Sequence, residues 1–198
     1  MKKILVVLLV VVASWSLYNR TGQVQLGPGV MAPNAPQQDN LSSPRQLSVS
    51  NYAITQLAQF DLKAKVLSKK NYHFGREADL SPVDLALGWG RMSDEQVLDN
   101  IKISQANRFF YWRVDTFPIP RQEIETHSAN MHLIPANKAV KKAMGKIRMG
   151  DIVEISGSLV NVASNKGDWY WNSSMTRNDT GSGACELVWV EHLQILTP

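Results

Sequence analysis

The sequence predicts a mostly β, α+β fold: a small closed barrel with two short helices, preceded by an N-terminal membrane anchor and a flexible linker. Three observations predict it. An unbroken apolar run follows two lysines at the N-terminus. A stretch rich in Gly, Pro, Gln and Ser occupies residues 21–50. From residue 51 onward, short apolar alternations of period two recur between turn residues, and only two stretches carry a helical period. The expected divisions are 1–20 for the signal anchor or transmembrane segment, 21–50 for the linker and 51–198 for the barrel domain.

The opening "MKKILVVLLVVVASWSLYNR" sets Lys2 and Lys3 before an apolar run from Ile4 to Ala13, with a milder stretch through Tyr18. This is the pattern of a secretory leader or a short membrane span. An uncleaved anchor is the preferred reading, because the small-x-small site Val11-Val12-Ala13 lies inside the run. Trp15 and Tyr18 suit an interfacial belt, and the lysines hold the N-terminus in the cytoplasm, so the rest of the chain is expected outside it. Residues 21–50 have few large hydrophobes with which to offset the entropy of ordering them, which predicts a tether.

The domain begins with Phe60, Leu62, Ala64 and Val66 alternating with Asp61, Lys63 and Lys65, a strand with one face on a core. "SPVDLALGWG" supplies a second, shorter strand, broken at Gly88 and Gly90. In "MSDEQVLDNI" a capping-box spacing from Ser93 to Gln96 precedes the stripe Val97, Leu98 and Ile101, a short helix. "NRFFYWRVD" is rich in aromatic and β-branched residues and reads as a strand ended by Pro118 and Pro120. The second helix lies over "NKAVKKAMGKI", capped by Asn137, with Val140, Ala143, Met144 and Ile147 on one face and the lysines outward. In "DIVEISGSLVNV" the apolar parity switches between Ile155 and Val160, so this strand bends or bulges near Gly157. "WYWNSSM" and "CELVWVEHLQIL" complete the set. A helix between the third and fourth strands and a glycine-bent long strand are the arrangement of an OB-like barrel; a two-layer α+β sandwich is the alternative.

Charge and composition exclude some functions. Of the formal net charge of +4, residues 1–50 carry +3, so the domain is nearly neutral and a charge-driven nucleic-acid binder loses its support. With one cysteine, no intramolecular disulfide forms.

The chemistry-bearing segments are "TRNDTGSGACE" and "THSANMHLIPAN". Asp179-Thr180-Gly181 matches the aspartic-protease triplet, but that chemistry needs a second carboxyl of the same kind, and no second Asp-Thr-Gly or Asp-Ser-Gly occurs. The segment reads instead as a glycine-rich turn. It is also a candidate ligand loop in which Arg177 and the glycine-flanked amides face an anion. Cys185 reads as a small buried residue; as a nucleophile it would need His127 or His132 as base. His127 and His132 stand five apart, off the spacing of helical zinc ligands, and with Ser128 and Asn130 they are expected to fasten an irregular segment. Aromatics on a barrel face with Arg113 nearby form a candidate stacking surface. The candidate ligand-binding residues are therefore His127, Asn130, His132, Arg177, Asp179 and Arg113, with no catalytic residue, metal ligand or cofactor assigned.

"LGWGRMSDEQVLDNI", "FFYWR", "HSANMHLIPAN" and "SSMTRNDTGSGACE" resemble segments of an uncharacterised bacterial membrane-anchored protein family, over residues 60–190. The resemblance implies a bacterial envelope setting and no particular activity. The expectation is a single-pass inner-membrane protein whose periplasmic domain is a binding or assembly module with envelope protein partners. The alternatives are an envelope hydrolase using His127 or His132 with Asp179, Cys185 or Glu186, and an OB-fold binder of single-stranded nucleic acid.

Overall fold

The computed structural model describes residues 22–197 apart from Thr180 and Ser182, so the expected anchor over residues 1–20 lies outside the described residues. Among those residues the fold is mostly β. The strands are β1 (Gln37–Val49), β2 (Tyr52–Asn71), β3 (Val83–Gly88), β4 (Lys102–Ala106), β5 (Phe109–Arg113), β6 (Ser128–Pro135), β7 (Ile152–Ser164), β8 (Tyr170–Asn172) and β9 (Glu186–Ile195). The helices are α1 (Arg76–Leu80), α2 (Glu95–Leu98), α3 (Arg121–Thr126) and α4 (Lys138–Lys146), with a 3-10 turn at Gly90–Ser93. No helix among the described residues is long and apolar enough to cross a membrane.

The expected alternation in β2 extends over 20 residues, and this length lets it serve three neighbours. It pairs antiparallel with β1, β3 and β7. β3 pairs antiparallel with β6, β6 runs parallel to β9, and β9 returns antiparallel to β7. β8 extends the sheet beyond β7, while β4 and β5 form a separate two-stranded hairpin. Phe60, Leu62, Leu85, Leu87, Met131, Leu133, Val153, Ile155, Val188 and Val190 meet in the main core. α4 covers part of it with Val140 and Met144, and Asn137 caps the helix by accepting from the Val140 N–H at 3.0 Å.

The parity switch in β7 has the expected cause. Its register against β9 shifts between Ser156 and Gly157, and a Cβ on Gly157 would stand 1.9 Å from the Trp189 carbonyl oxygen. Only a residue without a side chain allows that approach. Val160 and Val162 then join a second apolar cluster with Ile54, Leu187 and Trp189.

Several expectations are corrected. Residues 21–50 are not a free tether: residues 37–49 form β1, paired along β2 from Gln37–Asp61 to Val49–Tyr52. Residues 22–32 are a strap on the domain. Val24 N–H donates to the Met149 carbonyl at 2.7 Å, Leu26 and Gly27 N–H donate to the Glu95 carboxylate at 2.7 and 2.6 Å, and Met31 and Ala32 N–H donate to Ser93 Oγ at 3.1 and 3.0 Å. The segment is ordered by hydrogen bonding of its backbone to side chains and backbone groups elsewhere, for which it needs little apolar content of its own.

Because Ser93 serves the strap, Asp94 caps α2 instead, accepting from the Gln96 N–H at 3.0 Å. Lys65, expected on the solvent face of β2, is 2% exposed and bonds Glu95 at 2.7 Å. The segment containing His132 is a buried strand, not an irregular stretch, because β3 and β9 flank it on both sides. The FFYWR strand pairs with a neighbour unseen in the sequence, β4, across a turn whose Asn107 and Arg108 both have positive φ.

Candidate functional site

Alternation along β3 and β6 sends two sets of side chains to opposite faces. Val83, Leu85, Leu87, Met131 and Leu133 enter the main core. Asp84, Asn130 and His132 take the other face, where they are buried beneath the turn of the β4–β5 hairpin and the loop that leads into β9. Register sets Asp84 opposite His132 and Ala86 opposite Asn130.

Arg108, at the hairpin turn, reaches down to this face. Its Nη1 donates to Asp84 Oδ1 at 2.7 Å and to the Ser81 carbonyl at 3.0 Å, and its guanidinium lies 3.7 Å over the Tyr72 ring centroid. Asn130 Nδ2 donates to the Arg108 carbonyl at 2.8 Å, and Asn130 Oδ1 accepts from Gln105 at 2.7 Å. His132 Nδ1 lies 3.0 Å from Asp84 Oδ1 without hydrogen-bond alignment, and its ring packs 4.6 Å from that of Trp171. Hairpin, β3 and β6 are thus fastened to one another by a polar network rather than by apolar packing alone.

The loop between β8 and β9 brings a second group. Glu186 begins β9 in the parity of Val188 and Val190, so its carboxyl is carried to the edge of the main core and is fully buried. Arg177 Nε is 3.3 Å from Glu186 Oε1, out of hydrogen-bond alignment; Arg177 Nη2 donates to Gln38 Oε1 at 2.7 Å, and the guanidinium lies 5.5 Å from the Phe60 ring centroid. Ser174 Oγ donates to Asp179 Oδ2 at 2.7 Å. Burial pushes the Glu186 carboxyl up to about 8, with Arg177 and a backbone N–H opposing and Asp179 adding to the rise. Burial likewise pushes the Cys185 thiol up to about 11; the Asn130 amide opposes, and Glu186, Asp84 and Asp179 add.

These groups line one cavity of about 140 Å³, walled by Phe109, Phe110 and Trp112 of the hairpin and by Asn130, Arg177, Asp179, Cys185 and Glu186. A second, more open hollow of about 460 Å³ adjoins it, lined by Arg108, His132, Trp169 and Trp171. Phe109 and Cys185 line both, so the two are neighbours, together termed the groove.

Of the six sequence candidates, Asn130, Arg177 and Asp179 meet in the smaller cavity and His132 borders the larger. His127 does not join them. It ends α3, its Nδ1 3.1 Å from Thr126 Oγ1 and 3.2 Å from the Glu123 carbonyl, with its ring against Gly90: the fastening role. Arg113 is on the outer side of the hairpin, beside Tyr111 and away from the groove. Sequence reasoning missed Asp84, Arg108 and Gln38. Asp84 had a readable signal, a carboxylate inside an apolar strand "VDLALG"; Gln38 and Arg108 had none, since each acts through a partner distant in sequence.

No protein-family model matches the chain, and no curated protein or solved structure matches it. The functional reading therefore rests on the geometry of the groove.

Proposed function

We propose that the protein is a membrane-anchored, extracytoplasmic binding module of the bacterial envelope, built on an OB-like closed barrel, with the groove as its ligand seat. The cycle of pairings β2-β3-β6-β9-β7, returned to β2, supports the barrel, as does α4 between β6 and β7. OB-like barrels bind ligands over the face of their second and third strands and the loops beside it, here β3, β6 and the stretch between β7 and β9; this is an analogy of fold. The lysine-led apolar N-terminus supports the anchor.

The observation that carries the reading is convergence. Side chains from β6, the hairpin, the 173–185 loop and the start of β9 meet at one cavity with three aromatic walls and a few polar groups, the composition of a small-ligand site. The test is a titration of the full-length chain, in detergent, with a panel of small polar compounds, followed by amide resonances. Shifts should centre on Asn130, Cys185 and Glu186; a panel that leaves these silent defeats the reading. An alkaline-phosphatase fusion after Pro198 should be active, and an inactive fusion defeats the exported topology.

One observation favours a second reading, an envelope hydrolase. Glu186 with its carboxyl raised to about 8, beside Asp179, has the protonation of a general acid. Cys185 argues against its own use as the nucleophile, since its thiol is raised and not lowered. Turnover of chromogenic ester or glycoside substrates that Glu186→Gln abolishes would establish this alternative.

A further inference from the structure

Resting on the groove as a ligand seat, we propose that its smaller cavity takes the primary ammonium group of a small amine that carries a carbonyl or carboxyl oxygen a few bonds away. The inference comes from an inventory of unmade hydrogen bonds. Glu186 is fully buried, yet among the described residues neither Oε1 nor Oε2 receives an aligned hydrogen bond, its own backbone N–H included, and Asp179 Oδ1 receives none either. Arg177 Nη1, in the same cluster, has no acceptor among the described residues. With Glu186 ionised, the cluster therefore lacks three donors and one acceptor.

A primary ammonium presents three N–H donors and no acceptor, whereas a hydroxyl presents one donor. The oxygen close to the ammonium satisfies the fourth group, Arg177 Nη1. Phe109, Phe110 and Trp112 complete the wall, and aromatic faces attract a desolvated cation. Arg177 does not fill the role itself, because its Nη2 is committed to Gln38 and its Nε is misaligned with Glu186. A cavity of about 140 Å³ admits a ligand end of a few non-hydrogen atoms, with the remainder lying toward His132 and Trp171.

The charged and titratable groups facing the site are Arg177, Asp179 and Cys185 from the loop, Glu186 from β9, and Glu125 from α3; the β6 wall, with Ser128, Ala129 and Asn130, contributes none. Glu186 holds its proton at neutral pH, so an arriving ammonium displaces it. The proton leaves to solvent, and no bond to the ligand forms or breaks.

The experiment is calorimetric and amide-resonance titration of the full-length chain with β-alaninamide, which carries ammonium and carbonyl. Propionamide, which lacks the ammonium, and glucose, which offers hydroxyls, serve as comparisons. β-Alaninamide should shift Asn130, Cys185 and Glu186 and release close to one proton at pH 7, measured across buffers of different ionisation enthalpy. Its affinity should weaken about tenfold for each pH unit below the Glu186 value of about 8. Propionamide should be silent. Glu186→Gln and, separately, Asp179→Asn should weaken binding at least tenfold while unfolding cooperatively, and the first should abolish proton release.

Equal binding by propionamide, unchanged affinity in Glu186→Gln, or no proton release overturns the proposal. Glucose shifting the same resonances while β-alaninamide is silent overturns it too, but leaves the groove as a ligand site. Silence from every probe at these residues defeats both readings.

Discussion

Two ion pairs, each with one fully buried partner, sit in different parts of this molecule and have opposite surroundings. Lys65 and Glu95, beneath the strap, are 2.7 Å apart. Glu95 Oε1 also accepts from the Leu26 N–H and Oε2 from the Gly27 N–H, so both carboxylate oxygens are satisfied. Arg177 and Glu186, in the groove, are 3.3 Å apart and misaligned, and among the described residues neither Glu186 oxygen has an aligned donor. The solvent consequences run in opposite directions. Burial is the largest influence on Glu95 and pushes it up, yet the hydrogen bonds from Lys65, Leu26 and Gly27 together hold it below the usual carboxylate range; at Glu186 burial outweighs the opposition of Arg177 and its own backbone N–H, and the carboxyl is carried upward. A carboxylate with a full set of donors, as at Glu95, holds structure together. One without them carries a desolvation cost, which the donors of the proposed ligand would relieve.

Removing one partner of the satisfied pair should have the largest effect. Glu95→Ala leaves Lys65 buried without a counter-charge and frees the strap, so urea unfolding of the full chain should lose about 3–5 kcal/mol. A loss of the same size from Glu186→Gln would erase the contrast between the two sites.

The pH dependence sharpens it further. Glu186 has a folded pKa above its unfolded value, so between about 4.5 and about 8 the native state keeps a proton that the unfolded chain has released. Its contribution to stability therefore declines as pH rises through that window, by up to ~1.4 kcal/mol per pH unit. Glu186→Gln should flatten this decline, equal the parent near pH 5 and exceed it at pH 8 in thermal unfolding. Glu95 contributes with the opposite sign: its depressed pKa supports stability above the unfolded value and withdraws that support as pH falls below it.

A smaller effect is expected at Ser93, whose Oγ accepts from two strap amides and donates to the Gly90 carbonyl. Ser93→Ala should cost about 1–2 kcal/mol and speed hydrogen exchange at Met31 and Ala32 while leaving Asn130 unchanged. The smallest concerns Cys185. With its thiol raised to about 11, alkylation by iodoacetamide at pH 8 should be slow, and Cys185→Ala should change stability by less than about 1 kcal/mol. Fast alkylation at pH 7 would mean that the groove is wetter and more polar at Cys185 than its burial implies.

The parts of the fold legible in the sequence are those in which neighbours along the chain carry the signal. The alternation around Phe60, the Asn137 cap and the Gly157 bend each depend on a few adjacent residues, and each is present. The strap and β1 were illegible because their order comes from elsewhere: polar residues read as linker until Glu95, Ser93 and the backbone of β2 supply their hydrogen bonds. At the groove, Arg177 and Asp179 are legible together as ligand candidates, while Glu186 enters the sequence reading only as a member of the hydrolase alternative. Their opposite fates from His127 and Arg113 required the sheet order.

By itself the sequence determined a β-rich domain behind an apolar, lysine-led N-terminus, because side-chain periodicity and turn chemistry act over a handful of residues. Only the tertiary structure decided that Gln38 meets Arg177, that Lys65 is buried on Glu95, and that Glu186 is buried without aligned donors among the described residues. Those outcomes follow from strand register and sheet order, which set the distance between residues far apart in the chain and determine whether a buried charge finds its partners.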